Sequence, residues 1–143
     1  MNIRAWEKAD IESIAQIEAR CFQDAWKKEA FEDILKYPIH HSFLLEEEGQ
    51  VCGYACLLVL FEDAEVENIA VDLPYRGKGY ANALMDAMHE RAKTLGAKRC
   101  LLEVRVSNAA AISLYEKYGY IRYGVRKRYY ADGEDAFVMQ KIL

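Results

Sequence analysis

Proline is almost missing from this chain, at 2 of 143 residues, and glycine numbers only 8. With 52% apolar residues, so little of either excludes linker-like or disordered sequence and predicts one domain over residues 1–143 with a real core. No apolar run approaches the roughly 18 residues a membrane helix needs, so no membrane partner is expected. The start, MNIRAWEKAD, has acids and no apolar leader core, so the expected location is cytoplasmic. The four cysteines (Cys21, Cys52, Cys56, Cys100) form no CxxC pair and read as reduced core thiols. The three histidines, His40, His41 and His89, lack ligand spacing and are expected on the surface, so no metal is expected.

Net charge is -4, which disfavours direct nucleic-acid binding. Its distribution is uneven. Residues 1–72 carry 6 Lys/Arg against 16 Asp/Glu, and residues 73–143 carry 13 against 7. A polyanionic ligand favours the second half and a cationic partner the first.

Hydrophobic spacing predicts a strand at Ile3–Trp6, a helix capped by Asp10 and running to Phe22, and a helix over 27–36 stopped by Pro38. Two strands, Ser42–Glu46 and Val51–Leu60, read as a hairpin, and Ala64–Val71 as a third strand. Helices over 80–93 and 109–118 end at Gly96 and Gly119, with a strand over 100–106 between them. Strands over 120–128 and 135–141 flank the turn ADGE. The order β-α-α-β-β-β-α-β-α-β-β predicts an α/β fold, a mixed sheet with helices on its faces.

The stretch NIAVDLPYRGKGYANALM is a strand, a glycine loop and a helix. Gly77 and Gly79, with the small Ala81, let backbone amides converge on an anion, and Arg76 and Lys78 add charge beside a helix N-terminus. That chemistry suits a pyrophosphate. The loop is not a P-loop, and it lacks the third glycine of Gly-x-Gly-x-x-Gly because Asn82 stands there. A plain strand–helix turn is the structural alternative.

Arg76-Gly77-Lys78-Gly79-Tyr80-Ala81 after NIAVD resembles the acyl-CoA loop of the GNAT superfamily of N-acetyltransferases. Two further stretches, LEVRVSNAAAISLYEKYGY and YYADGEDAFVM, resemble the branch that acetylates protein N-termini, especially the ribosomal-protein-alanine enzymes. The likeness covers nearly the whole chain. Ala25 departs from it, standing where the branch carries proline.

The resemblance implies the GNAT fold, acetyl-CoA as cosubstrate and a protein N-terminus, of a basic ribosomal protein, as acceptor. It implies Glu103 as general base and Tyr115 as general acid. It also implies the backbones of Ile69, Ala70 and Val71 as partners of the pantetheine arm, with the Val71 amide facing the thioester carbonyl. The loop from Arg76 through Gly77, Lys78, Gly79 and Tyr80 to Ala81 would take the pyrophosphate, and Asn108 would hold the pantetheine, cap a helix, or both. Tyr129 and Tyr130 would lie beside the peptide entrance. An α-amine titrates near 8 and a lysine near 10.4, so an N-terminus loses its proton more easily by about 3 kcal/mol.

Read on residues alone, Glu103 is equally an ion-paired carboxylate and Tyr115 a packing residue. Glu65 and Glu67 alternate with Val66 and share one strand face with Ile69 and Val71 by simple alternation. The resemblance ranks Glu65, which matches the place of the base in lysine-acetylating members, second to Glu103 as base. An acetyltransferase of lysine or small amines, and a non-catalytic acyl-CoA- or partner-binding module, remain the competing readings.

Overall fold

The computed structural model describes residues 1–143. Its strands and helices are β1 (Asn2–Arg4), α1 (Ile11–Cys21), α2 (Lys28–Lys36), β2 (His40–Glu47), β3 (Gln50–Leu60), β4 (Asp63–Val71), α3 (Tyr80–Thr94), β5 (Arg99–Arg105), α4 (Ala109–Lys117), β6 (Ile121–Arg126) and β7 (Ala136–Ile142). This is the expected order. The seven strands form one sheet, β1-β2-β3-β4-β5-β7-β6, antiparallel throughout except where β4 meets β5. No helix is long and apolar enough to cross a membrane.

Each helix buries the stripe its spacing dictates. Ile11, Ile14 and Ile17 of α1 and Phe31 and Ile34 of α2 cover one sheet face, with Trp6, Leu44, Tyr54 and Ala70. Leu84, Met85, Met88 and Ala92 of α3, with Ile112 and Tyr115 of α4, cover the other. Asp10 does not cap α1 with its side chain. It closes a 3-10 turn at Lys8–Asp10, accepting from the Glu7 amide (2.7 Å) and pairing with Arg4 (2.8 Å). The histidines also differ from expectation. His89 is buried, its Nε2 2.6 Å from the Tyr120 hydroxyl, and desolvation holds its pKa down at about 4. His40 Nδ1 lies 2.7 Å from Glu67.

The decisive irregularity is in β4. Its pairing with β3 shifts register between Cys56↔Asn68 and Leu57↔Val66, so Glu67 is one residue extra. The bulge resets the alternation. Ala64, Val66 and Val71 face the α3 core, whereas Asn68 and Ala70 face α1. Glu65 and Glu67 therefore share the α1 face with Asn68 and Ala70, and not with Ile69 and Val71. Beyond the bulge β4 also leaves β5. The two strands pair only at Asp63↔Arg99, Ala64↔Cys100 and Glu65↔Leu101, while β5 stays paired with β7 along its whole length. A wedge opens between them.

Glu18 of α1 pins this irregularity. It is 1% exposed and accepts from the Tyr54 hydroxyl (2.5 Å), the Asn68 amide (2.9 Å) and the Trp26 backbone N–H (3.0 Å). One carboxylate thus ties α1 to β3, to the bulge and to the segment entering α2. Removing it strands three donors, two of them on side chains. Glu18→Ala is expected to cost roughly 2–4 kcal/mol of stability in urea unfolding, with Glu18→Gln losing less.

Candidate active site

The wedge holds two hollows that meet at a neck. The larger, about 710 Å³, runs from Ile69 and Val71 past the loop at Arg76–Ala81 to the start of α3. The smaller, about 210 Å³, is walled by Glu18, Trp26, Glu67, Asn68, Glu103 and Tyr130. Ile69, Asn108, Ala111 and Tyr115 line both, as do Asp24 and Arg105.

In the larger hollow the loop amides are free. Gly77 and Gly79 adopt φ of 81° and 80°, a region open to glycine at little cost. From Gly77 to Asn82 no amide has a hydrogen-bond partner within the protein; the first helical bond is Ala83 N–H to Gly79 C=O at 3.1 Å. These donors and the α3 dipole suit a diphosphate. Tyr80 offers only its backbone there, because its side chain is packed in the core. Lys78 does not line the hollow, and its ammonium lies 5.8 Å from the Tyr75 ring centre. Arg76 does line it, with Nε bound to the Val71 carbonyl (3.0 Å).

The β4 edge presents its own free groups. The Asp72 N–H bonds Cys52 C=O at 2.8 Å, so by antiparallel alternation Ala70 and Tyr54 form the next hydrogen-bonded pair. Ile69 and Val71 then turn their backbone groups away from β3, toward the wedge, where the Val71 carbonyl is already taken by Arg76 and its N–H is left free. Ala70 is the exception among the three expected pantetheine partners, since its backbone is spent on β3.

Tyr115, from α4, is 7% exposed and lies at the neck, its ring edge-on to Tyr120 at 5.9 Å. Its hydroxyl has no hydrogen-bond partner within the protein, and burial raises its pKa, so it stays protonated at neutral pH. The Asn108 side-chain carbonyl caps α4 by accepting from the Ala111 amide (3.2 Å), and the residue lines both hollows.

Glu103 projects from β5 onto the face of Glu65 and Glu67. Its Oε2 is 3.2 Å from Arg126 Nε, an ion pair lacking hydrogen-bond alignment. The Tyr129 hydroxyl is raised by its contact with this carboxylate. Burial pushes the Glu65 carboxyl upward, and the nearby charges of Glu103 and Glu67 add to the shift; burial likewise raises Glu67. Tyr130 lines the smaller hollow, and Tyr129, half exposed, packs edge-on against it at 5.1 Å.

Three lining residues escaped the sequence reading. Asn82 lines the larger hollow, although it counted only as a missing glycine. Cys21 also lines it, its thiol 3.4 Å from Arg76. Arg105, between the two hollows, was legible only as part of a motif.

A carboxyl group harder to ionise when folded than unfolded opposes folding once it is charged. For Glu65 the penalty is absent below the ordinary value of 4.5 and grows as pH rises. Glu65→Gln is therefore expected to raise Tm at pH 7 and to leave it unchanged near pH 4, read by thermal melts at both pH values.

Comparison with known proteins bears on the fold and the family. The family model described as acetyltransferase (GNAT) family matches residues 11–120. A Bacillus subtilis relative, named as a candidate ribosomal protein bS18 alanine N-acetyltransferase, is 38% identical, covering 96% of this chain and 92% of its own. The Escherichia coli (strain K12) ribosomal protein bS18 alanine N-acetyltransferase is 34% identical over 96% of this chain and 95% of its own. The crystal structure of the Escherichia coli ribosomal-protein-S18-alanine N-acetyltransferase superposes with a TM-score of 0.91 at 33% identity, covering 99% of this chain and 92% of that one. With this loop, this wedge and these relatives, the chain belongs to the GNAT acetyltransferase family.

Proposed function

We propose that this protein transfers the acetyl group of acetyl-CoA to the N-terminal α-amine of a protein, specifically the terminal alanine of a basic small-subunit ribosomal protein, in the cytoplasm. The observation that carries the reading is one continuous space. An anion-binding loop and a free strand edge lead to a neck where a protonated tyrosine hydroxyl stands, and a carboxylate lines the hollow beyond it.

Acetyl-CoA enters as a substrate. Its diphosphate would rest on the amides of Gly77 to Asn82, and its pantetheine would pair with Ile69 and Val71 as an added strand. The Val71 N–H would donate to the thioester oxygen, where negative charge develops. Glu103, directly or through one water, takes a proton from the substrate ammonium. The freed nitrogen attacks the carbonyl carbon, so the C–N bond forms and the C–S bond breaks. Tyr115 gives its hydroxyl proton to the departing thiolate, and the second proton that the nitrogen sheds as the amide forms restores that hydroxyl, directly or through one water. The carboxylates of Glu65, Glu67 and Glu103 and the acidic first half of the chain favour a cationic acceptor.

The test is thiol release from acetyl-CoA with three acceptors: a peptide starting Ala-Arg, the same peptide blocked at its amine, and a blocked peptide with free lysine. Turnover is expected only with the first. Use of the lysine peptide points to a side-chain acetyltransferase, and acetyl-CoA binding without turnover to a non-catalytic module. Glu103→Gln is expected to lower kcat about 100-fold or more at pH 7. Near-normal turnover in Glu103→Gln together with its loss in Glu65→Gln reverses the assignment of the base.

A further inference from the structure

We infer that Arg105 is a positioning residue that sets the peptide entrance by fastening the α1–α2 segment to the β6–β7 turn. The inference rests on the proposed peptide substrate only for its kinetic readout. Arg105 follows Glu103 by two residues on β5 and so faces the same side of the sheet. Its side chain is 19% exposed. One nitrogen, Nη2, is 3.0 Å from Asp24, between α1 and α2. The other, Nη1, is 2.9 Å from Asp132 and 2.8 Å from Glu134, both between β6 and β7. The guanidinium plane stacks over Tyr130 at 4.1 Å from the ring centre. Glu134 spends its second oxygen on the Ser107 amide at 2.9 Å, tying the turn to the entry of α4.

Three carboxylates from two separate segments converge on one cation. Without it, they repel at short range in a partly dry setting, so its loss turns an attraction into a repulsion. A lysine cannot replace the guanidinium, because a single ammonium lacks the planar fork that reaches both segments and the flat face that stacks on Tyr130. Asp24 and Arg105 line both hollows, so the bridge spans the neck where donor and acceptor meet. Asp24 sits one residue before Ala25, the position at which this chain departs from the proline of its branch. The ion pair therefore holds a segment that lacks proline's rigidity.

The test uses Arg105→Gln and Arg105→Lys in the full chain. The KM for the Ala-Arg peptide is expected to rise about tenfold or more in Arg105→Gln, with only partial recovery in Arg105→Lys. Acetyl-CoA affinity by calorimetry, and kcat at saturating peptide, are expected to stay within about threefold. An unchanged peptide KM overturns the inference, as does a parallel loss of acetyl-CoA affinity, which signals general collapse. Should Arg105→Gln fail to fold, Asp24→Asn severs one arm and must raise the peptide KM alone; an unchanged KM there overturns the inference equally. Hydrogen exchange separates this question from that of the substrate. Residues 22–27 and 129–135 should exchange faster in Arg105→Gln whatever the protein acetylates, and unaltered exchange overturns the fastening role.

Discussion

A parallel strand pair that stops after three residue pairs leaves backbone groups that must find partners elsewhere. That parting of β4 from β5 is the constraint on which the rest of the site depends. It frees the edge at Ile69 and Val71, it opens the space that Tyr115 enters from α4, and it brings Glu103 into view beside Glu65 and Glu67. Such an opening would close if β4 were free to straighten and pair on. The bulge at Glu67 prevents this, and Glu18 holds the bulge by gripping Asn68. The opening is thus secured by a buried carboxylate that also forms part of the wall of the smaller hollow.

A second constraint orders the far end of β4. Asp72 is nearly buried and receives both the Nε and an Nη of Arg20, at 3.1 and 2.8 Å, while its Oδ1 also accepts from the Leu73 amide. The turn between β4 and the glycine loop is therefore fixed to α1. The Tyr118 hydroxyl, bonded to the Asn82 carbonyl and to Asp86, ties α4 to the first turn of α3 in the same way. Two helices from opposite sheet faces thus hold the loop at both ends, so its unpaired amides are carried on a segment fixed by the protein's own contacts. This is preorganisation in the ordinary electrostatic sense.

Local patterns were readable because they are local. Apolar spacing located every helix and strand to within a few residues, and the glycines marked the loop, because both depend on neighbours in the chain. What escaped depends on partners far away. The bulge at Glu67 is set by Glu18, about fifty residues earlier, and an alternating run such as Glu65-Val66-Glu67 carries no mark of it. Which of Ile69, Ala70 and Val71 keeps a free amide depends on hydrogen-bond parity with β3, which composition does not reveal. His89 resembled a surface residue because its helix is amphipathic, yet Tyr120 arrives from beyond α4 to bury it. Arg105 stood inside a recognisable run, but its three acidic partners lie 81, 27 and 29 positions away.

The meeting of two hollows at a narrow waist has a further consequence for scale. On the proposed reaction, the nucleotide end of one reactant and the polypeptide tail of the other would not need to be enclosed, since only a sulfur-bound acyl carbon and one terminal nitrogen would have to reach the waist. A catalyst of this size can therefore act on a molecule as large as itself, provided that molecule offers a loose end. Selection among acceptors then falls to the few residues that thread the opening, and the bulk of the acceptor's folded body is left out of the decision.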